Sequence, residues 1–247
     1  MMKSYKILNH NSRQPIFISC EHASGTIPKK MGFFGVSKSE LPEISNYIDF
    51  GADVLSRMLA RAFSARCIIP KYSRMVINLN KPIGHPKLIN DNCFGRRIPG
   101  NENISKEGMS ERVRKYYLPY HKRIRKEIEL LRGRHRKVFY ICVHTFFNKP
   151  GKKWAMDIGI LYRYKKDSSF CRNIKKLLEE KTNFTVKYNQ PYSAHKTAGY
   201  TMNTYGKDRN IRCVEFEIND KHMKGSKSIE KIGRLLIDVL NEAVKRA

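Results

Sequence analysis

Short apolar segments alternate along this chain with longer segments whose apolar residues repeat at the helical period. Residues 15–20 and 138–143 are almost continuously apolar, as expected for strands that are buried on both faces of a sheet. The alternation predicts an α/β fold, a three-layer sandwich in which helices cover both faces of a mostly parallel, mixed sheet. The predicted strands are 15–20, 67–70, 75–80, 138–143, 158–162, 184–188 and 212–218, and the predicted helices are 42–63, 110–131, 168–181 and 228–246.

Length and charge limit the classes of protein to which the chain can belong. Its 247 residues fit a single domain that spans residues 1–247. The 49 Lys and Arg against 22 Asp and Glu give a formal net charge of +27, which is a composition that nucleic-acid-binding proteins have. Because these basic residues occur in short, dispersed runs, we interpret them as a solvated surface that attracts small anionic substrates. A nucleic-acid partner remains possible but is not favoured.

The cysteines and the hydropathy pattern bear on the compartment. None of the six cysteines forms a CxxC pair, and Cys20, Cys142 and Cys213 lie within apolar, strand-like runs. That distribution is typical of reduced cysteines in a cytoplasmic protein. Lys3 and Lys6 interrupt the N-terminal segment before any apolar stretch, and no run of about 18 apolar residues occurs. We therefore expect a cytoplasmic protein with neither a signal peptide nor a membrane span.

Polar side chains follow several predicted strands at their carboxyl ends, where ligands bind in sheets of this kind. They are Glu21, His22, Asn78, Asn80, Lys81, His144, Glu215, Glu217, Asn219 and Asp220. Two histidines together with carboxylates are the components of a catalytic zinc site, which has three protein ligands and one open position for an activated water. Because no HExxH motif is present, the residues alone also allow ordinary hydrogen-bonded loop histidines.

Seven short motifs, in order from about residue 16 to residue 220, resemble those of the N-formylglutamate amidohydrolase family. They are ISCEHASGTIP at 18–28, YIDFGA at 47–52, YSRMVINLNK at 72–81, VHTF at 143–146, DIGILY at 157–162, NQPYS at 189–193 and VEFEIND at 214–220. The resemblance implies a zinc-carboxypeptidase/phosphorylase-hydrolase-like fold. It also implies hydrolysis of a linear amide, that of N-formyl-glutamate or a related N-acyl amino acid, by water that one zinc ion activates.

The resemblance implies His22 and His144 as ligands of this single divalent ion. The third ligand is open, because related carboxypeptidases place a Glu three residues after the first His, where this chain has Gly25. Asp49, in the second motif, is the preferred carboxylate. Glu21 is the rival, although it would have to turn toward the same point as the adjacent histidine.

The last predicted strand offers two candidates for the catalytic base. Glu215 and Glu217 are two residues apart, so their side chains face the same side of the sheet. Glu217 corresponds best to the glutamate of the family. It is expected to take a proton from the metal-bound water and to pass it to the leaving nitrogen. Glu215 remains the alternative base.

The resemblance further implies a subsite for the substrate carboxylate. Arg74, Asn80, Lys81 and Tyr192 are expected to bind the substrate, and Arg74 is also expected to act in catalysis. Lys81 stands where the family usually has Arg and lacks the bidentate fork of a guanidinium, which puts the identity of the substrate in question. The remaining histidines are expected in loops or on exposed helix faces; they are His10, His85, His121, His135, His195 and His222.

Two other functions are compatible with the sequence. One is binding of nucleic acid or another polyanion by a degenerate hydrolase fold, which the net charge of +27 suggests. The other keeps the zinc chemistry and changes the substrate to a short peptide or a cell-wall amide.

Overall fold

A seven-stranded mixed sheet forms the centre of the part of the chain that the structure describes. The computed structural model describes residues 4–36, 47–93, 95–147, 155–196 and 198–247. The strands of the main sheet are β1 (Tyr5–Leu8), β2 (Ile16–Ser19), β3 (Arg66–Pro70), β6 (Val138–Phe146), β7 (Ile158–Leu161), β8 (Val186–Tyr188) and β9 (Ile211–Asn219). A separate small hairpin pairs β4 (Asn92–Cys93) with β5 (Arg96–Arg97).

The strand order of the main sheet is β1-β3-β2-β6-β9-β7-β8. The four central strands β3, β2, β6 and β9 run parallel to one another, and β1 and β7 pair antiparallel with the outer members of this group. The prediction of a mixed, mostly parallel sheet is therefore confirmed. Because β2, β6 and β9 are parallel neighbours, the residues at their carboxyl ends meet at one edge.

Helices cover both faces of the sheet. The helices are α1 (Ala52–Ala62), α2 (Lys106–Arg112), α3 (Leu118–Arg132), α4 (Ser168–Lys181), α5 (Tyr200–Tyr205) and α6 (Ser226–Lys245), and a π-helical turn (Val113–Tyr117) joins α2 to α3. Short 3-10 turns lie at Lys29–Met31, Pro99–Asn101, Lys165–Asp167 and Asp220–His222. One apolar cluster packs α1, α4 and α6 against one face, and a second cluster packs α3 and α5 against the other. No described helix is long and apolar enough to cross a membrane.

The prediction of a strand over residues 75–80 is wrong. These residues form successive turns, in which the backbone N–H of Val76 donates to the carbonyl of Ser73 and that of Asn78 donates to the carbonyl of Leu88. All six residues are buried. Their apolar character therefore reflects burial under α3 and α5 rather than pairing in a sheet.

Other elements also differ from the prediction. The helix predicted over residues 110–131 is divided into α2 and α3 by the π-helical turn Val113–Tyr117. The helix expected from residue 42 begins at Ala52, after Gly51 in the left-handed conformation with φ +77°, while residues 42–46 lie outside the described part of the chain. Asp49 consequently lies in a loop, free of the geometry of a helix. The strand β1 was not predicted; it is short and half-buried and pairs antiparallel with β3 at the edge of the sheet.

A glycine in β7 controls how closely the loop after β8 approaches the sheet. A Cβ atom on Gly159 would lie 1.9 Å from the backbone oxygen of Gln190, a contact that the main chain has to relieve by moving. We expect Gly159→Ala to lower the free energy of unfolding by about 1–3 kcal/mol, as overpacking does. The substitution should also displace Tyr192, which lies two residues beyond Gln190.

Urea denaturation checks this expectation. Gly133→Ala serves as the control, because its added Cβ would meet only ordinary contacts, the shortest being 3.6 Å to the carbonyl oxygen of Glu129. Equal stability of Gly159→Ala and Gly133→Ala would contradict the proposed role of Gly159.

Candidate active site

The three predicted metal ligands lie at the carboxyl edge of the central strands. His22 follows β2, His144 lies near the end of the neighbouring β6, and Asp49 lies in the loop before α1. The backbone N–H of Asp49 donates to the carbonyl of His22 over 3.1 Å, which ties this loop to the end of β2. All three side chains are buried. Parallel pairing and one backbone hydrogen bond thus bring together residues from three distant segments.

The side chains of His22, Asp49 and His144 converge on one point. Their candidate ligand atoms all lie within 4.8 Å of one another. One carboxylate oxygen of Asp49, Oδ2, lies 2.6 Å from Nδ1 of His144 and 3.3 Å from Nδ1 of His22. The same nitrogen of each ring therefore faces the same carboxylate, which is the donor set of a two-histidine, one-carboxylate metal site.

The other nitrogen of each histidine has a partner of its own. Nε2 of His22 lies 2.9 Å from Oδ1 of Asn78, and Nε2 of His144 lies 3.0 Å from Oε2 of Glu21. Such partners fix the orientation of metal-binding imidazoles. Glu21, the rival third ligand, contacts the side of His144 that points away from Asp49. Asn78 was expected only as one of the polar residues at the predicted strand ends, and its contact with His22 was not predicted.

Charge interactions within this cluster shift the protonation of its members. Burial opposes ionisation of Asp49, yet His22 and His144 outweigh it and hold the pKa of this carboxyl well below its usual range. Burial and the nearby Arg74 lower the pKa of His22 to about 4. Burial also disfavours the charged form of His144, but its bonds to Asp49 and Glu21 raise its pKa. The cluster thus holds ionised carboxylates next to a neutral imidazole at His22.

Glu215 and Glu217 lie on the central strand β9, which is next to the strand β6 that carries His144. Glu217 is in register with His144 on β6 and with Gly159 on β7. The side chains of Glu215 and Glu217 are 1% and 5% exposed, and Oε2 of each has no hydrogen-bond partner among the described residues. A buried polar atom without a partner is costly, so each oxygen is expected to meet a group that the protein binds.

The two glutamates have a high proton affinity. Burial raises the pKa of Glu215 to about 7, and the neighbouring Glu21 adds to this rise. Burial also raises the pKa of Glu217 well above its ordinary value, and Glu215 raises it further. A carboxyl that holds its proton near neutral pH can both accept a proton and return it.

Arg74 lies beside the same cluster. Its Nη1 atom donates to Oδ1 of Asp49 over 3.4 Å, and its guanidinium lies 4.8 Å from the centre of the Tyr47 ring. Its Nε atom is buried and has no hydrogen-bond partner among the described residues. Arg74 therefore retains donor capacity for an anionic ligand next to the predicted metal site.

The other predicted substrate-binding residues surround Arg74. Burial lowers the pKa of the Lys81 ammonium, and the charge of Arg74 lowers it further, which places the two cations near each other. Tyr192 is 45% exposed, and burial of its hydroxyl, followed by the charge of Glu217, raises its pKa to about 12. The charge of Glu217 thus acts on the hydroxyl of Tyr192.

The carboxamide oxygen of Asn80 is bonded to α5 and is therefore not available to a ligand. That oxygen, Oδ1, accepts hydrogen bonds from the backbone N–H of Thr201 over 3.0 Å and from its hydroxyl over 3.2 Å. Only the amide nitrogen of Asn80 would thus be left for the predicted contact with a substrate.

His121 is buried, which corrects the expectation of an exposed helix face. Its Nδ1 atom lies 2.9 Å from the hydroxyl of Tyr205, and its Nε2 atom lies 3.0 Å from the carbonyl of Leu79. The ring therefore links α3 and α5 to the segment that carries Asn80 and Lys81. The apolar spacing of α3, which buries Tyr120 and Ile124 on the same side, was a signal for this burial.

Comparison with known proteins identifies the family. The sequence profile of N-formylglutamate amidohydrolase matches residues 14–223. The chain belongs to the N-formylglutamate amidohydrolase family. No curated protein sequence matches it.

Two solved structures resemble this N-formylglutamate amidohydrolase family member over nearly its whole length. A gene product of Agrobacterium tumefaciens is 26% identical with a TM-score of 0.92, and the match covers 99% of this chain and 96% of that one. The N-formylglutamate amidohydrolase of Ralstonia eutropha is 16% identical with a TM-score of 0.75, and the match covers 99% and 98% of the two chains. The second likeness supports the fold alone.

The family match includes every predicted site residue of this N-formylglutamate amidohydrolase family member, from His22 to Glu217. It ends at residue 223, immediately before α6. That helix packs on the cluster containing α1, on the face away from α3. The predicted chemistry thus lies in the part of the chain that the family shares.

Proposed function

We propose that this protein is a zinc-dependent hydrolase that cleaves the linear amide of a small anionic N-acyl amino acid, such as N-formyl-glutamate. The convergence of His22, Asp49 and His144 within 4.8 Å, all buried, is the observation that carries this proposal. Membership of the N-formylglutamate amidohydrolase family supports amide hydrolysis as the reaction.

The donor atoms present fit a zinc ion. Two imidazole nitrogens and one carboxylate are a common ligand set of catalytic zinc, and the Asn78 and Glu21 contacts orient the rings from behind. His22, Asp49 and His144 would therefore hold the ion. When bound, zinc supplies Lewis acidity, which polarises an amide carbonyl and lowers the pKa of a water molecule.

Glu217 is the proposed general base. Its carboxyl group is buried on the strand next to His144, and Oε2 has no partner among the described residues. This oxygen takes the proton of the attacking water and then delivers it to the leaving nitrogen of the amide. The raised pKa of Glu217, caused first by burial, suits the second of these steps.

Arg74 and Lys81 are the proposed binding groups for the substrate carboxylate. The buried Nε atom of Arg74 lacks a partner among the described residues. Burial, and then the positive charge of Arg74, lowers the pKa of the Lys81 ammonium. Tyr192 would close the pocket on the side of Glu217, and the amide of Asn80 would add a donor. These groups favour a substrate with one or more carboxylates.

A screen of substrates tests the proposed function. Zinc-loaded protein is incubated at fixed ionic strength with N-formyl and N-acetyl derivatives of Glu, Asp, Gln and Leu, and release of the free amino acid is measured. We expect hydrolysis of the acidic derivatives and much slower hydrolysis of the Gln and Leu derivatives. Absence of turnover on every linear amide, with zinc bound, would contradict the proposal.

Arg74→Ala is expected to raise KM for the acidic substrate. A hydrogen bond to a charged group contributes about 1.5–3 kcal/mol, which corresponds to a roughly 10- to 100-fold rise. KM for the neutral Gln derivative should change less, and this difference is the measurement. Arg57→Ala is the control, because Arg57 is bonded to Asp53 on α1 instead. An equal rise for both derivatives would show that Arg74 does not recognise the carboxylate.

A further inference from the structure

A group of eight basic residues lies at the end of the sheet opposite the proposed active site. We define the basic edge as the residues Arg13, Arg125, Arg132, Arg134, Arg136, Lys207, Arg209 and Arg212, all of which are exposed or half-exposed. They come from three separate parts of the chain. Basic residues from these three segments thus form one surface in the fold.

Contacts among these segments hold the basic edge together. Nη2 of Arg132 lies 2.5 Å from Oδ2 of Asp208, which joins the end of α3 to the turn before β9. The side chain of His135 lies 2.6 Å from the carbonyl oxygen of Arg13, which brings in the turn before β2. The backbone N–H of Val138 donates to the carbonyl of Asn210 over 2.9 Å.

Few acidic residues balance this charge. Three acids, Glu127, Glu129 and Asp208, lie within the same segments, so the eight cations of the basic edge exceed them by five. Glu127 is buried and paired with Arg66 and Arg123, and Asp208 is paired with Arg132. Other helices differ, because on α4 Lys175 and Lys176 each have a glutamate partner one turn away. A surface with a net positive charge raises the local concentration of anions.

An open cleft of about 520 Å³ lies within the basic edge. Arg125, Glu129 and Arg132 line it from α3, and Tyr205, Lys207 and Asp208 line it from the end of α5 and the turn that follows. Guanidinium groups bind phosphate oxygens in pairs. The cleft therefore offers cationic groups to which a phosphate backbone can bind.

We propose that the basic edge binds the phosphate backbone of a nucleic acid. Seven of its eight cations are arginines, the residue whose fork matches phosphate geometry. A membrane surface fits less well, because a protein that binds there also inserts an apolar face into the lipid. Within residues 125–136, Leu130 is the only large apolar residue that is exposed. The site adds a binding activity to the proposed hydrolase and does not depend on it.

The basic edge and the proposed active site are separated by the length of β6. Val138 begins this strand and His144 lies six residues later, which corresponds to about 20 Å. Substitutions at the basic edge should therefore leave zinc content and amide hydrolysis unchanged. These two properties serve as internal controls for folding.

The test compares two triple variants that remove the same charge. Arg134, Arg136 and Arg209 are replaced by Gln in one variant. Lys176, Lys227 and Lys231, which are exposed on α4 and α6, are replaced by Gln in the control. Binding to a labelled DNA duplex of about 20 base pairs is measured by fluorescence anisotropy from 50 to 200 mM salt, the range in which affinities of this kind change most.

We expect the wild type and the control variant to bind the duplex with a steep salt dependence. In the basic-edge variant, the slope of log affinity against log salt should fall by about three, one for each phosphate contact removed. Equal weakening in both variants would overturn the proposal, since net charge alone would then account for the binding. Absence of duplex binding by the wild type would overturn it as well, as would a preference for phosphatidylserine vesicles or polyglutamate over the duplex.

Discussion

Glu217→Gln is expected to lower kcat for the preferred N-acyl amino acid by about 10²- to 10⁴-fold, the usual contribution of a general acid–base group. The amide keeps the shape of the buried carboxyl group but cannot take a proton from water. KM and zinc content should change little, because Glu217 is not among the three converging ligands. Steady-state kinetics on zinc-loaded protein measure the effect.

Glu215→Gln is the matched control for this prediction. Glu215 lies on the same face of β9 and is equally buried, but it is in register with Cys142 rather than with His144. We expect a smaller loss of kcat than for Glu217→Gln. If the larger loss belongs to Glu215→Gln, the base is Glu215 and the assignment of Glu217 is wrong.

His144→Ala is expected to abolish hydrolysis by removing one of the three proposed zinc ligands. The substitution also leaves Oδ2 of Asp49 without its 2.6 Å partner. Added zinc should restore little activity, because a site with two ligands holds the ion poorly. Activity measured against zinc concentration tests this expectation.

Glu21→Gln tests whether Glu21 orients the His144 ring or binds the zinc ion itself. Glu21 touches Nε2 of His144, the nitrogen that faces away from Asp49, over 3.0 Å. Loss of such an orienting partner usually weakens metal binding by about 10- to 100-fold. Chelator competition should therefore place Glu21→Gln between the wild type and His144→Ala. Metal affinity as low as that of His144→Ala would make Glu21 the third ligand instead of Asp49.

The core of the fold was predictable because its strands and helices each have a clear apolar pattern along their whole length. The continuous apolar run at 138–143 became β6 (Val138–Phe146), and the amphipathic pattern at 228–246 became α6 (Ser226–Lys245). Parallel strands bring their carboxyl ends together, so polar residues at those ends already indicated a shared site. This geometry is local and regular, which is why sequence alone reaches it.

The supporting residues of the site were harder to predict because their environment comes from tertiary packing. Residues 75–80 have the composition of a strand but lie buried as turns, held by contacts such as Thr201 to Asn80. His121 belongs to a helix rich in charge, yet its ring lies between Tyr205 and Leu79. Tyr205 and Leu79 are distant in sequence from His121, and Thr201 is distant from Asn80, so no local pattern identifies these contacts.

The choice between Asp49 and Glu21 also depended on three-dimensional geometry. Glu21 and His22 lie in a turn after β2, where the carboxylate of Glu21 contacts Nε2 of His144 and Nδ1 of His22 faces Asp49. Asp49 lies in a loop whose path the sequence does not fix, and its backbone bond to His22 brings it to the cluster. The carboxylate of Asp49 then lies within reach of both histidines.

The amount of zinc bound per chain tests the proposed His22–Asp49–His144 site most directly. It is measured by elemental analysis after the protein has been equilibrated with zinc and the free ion has been removed. We predict about one zinc per chain in the wild type, as in catalytic sites with three protein ligands, and a large loss in His22→Ala, Asp49→Ala and His144→Ala. Full zinc content in all three variants, or none in the wild type, would contradict the proposed site.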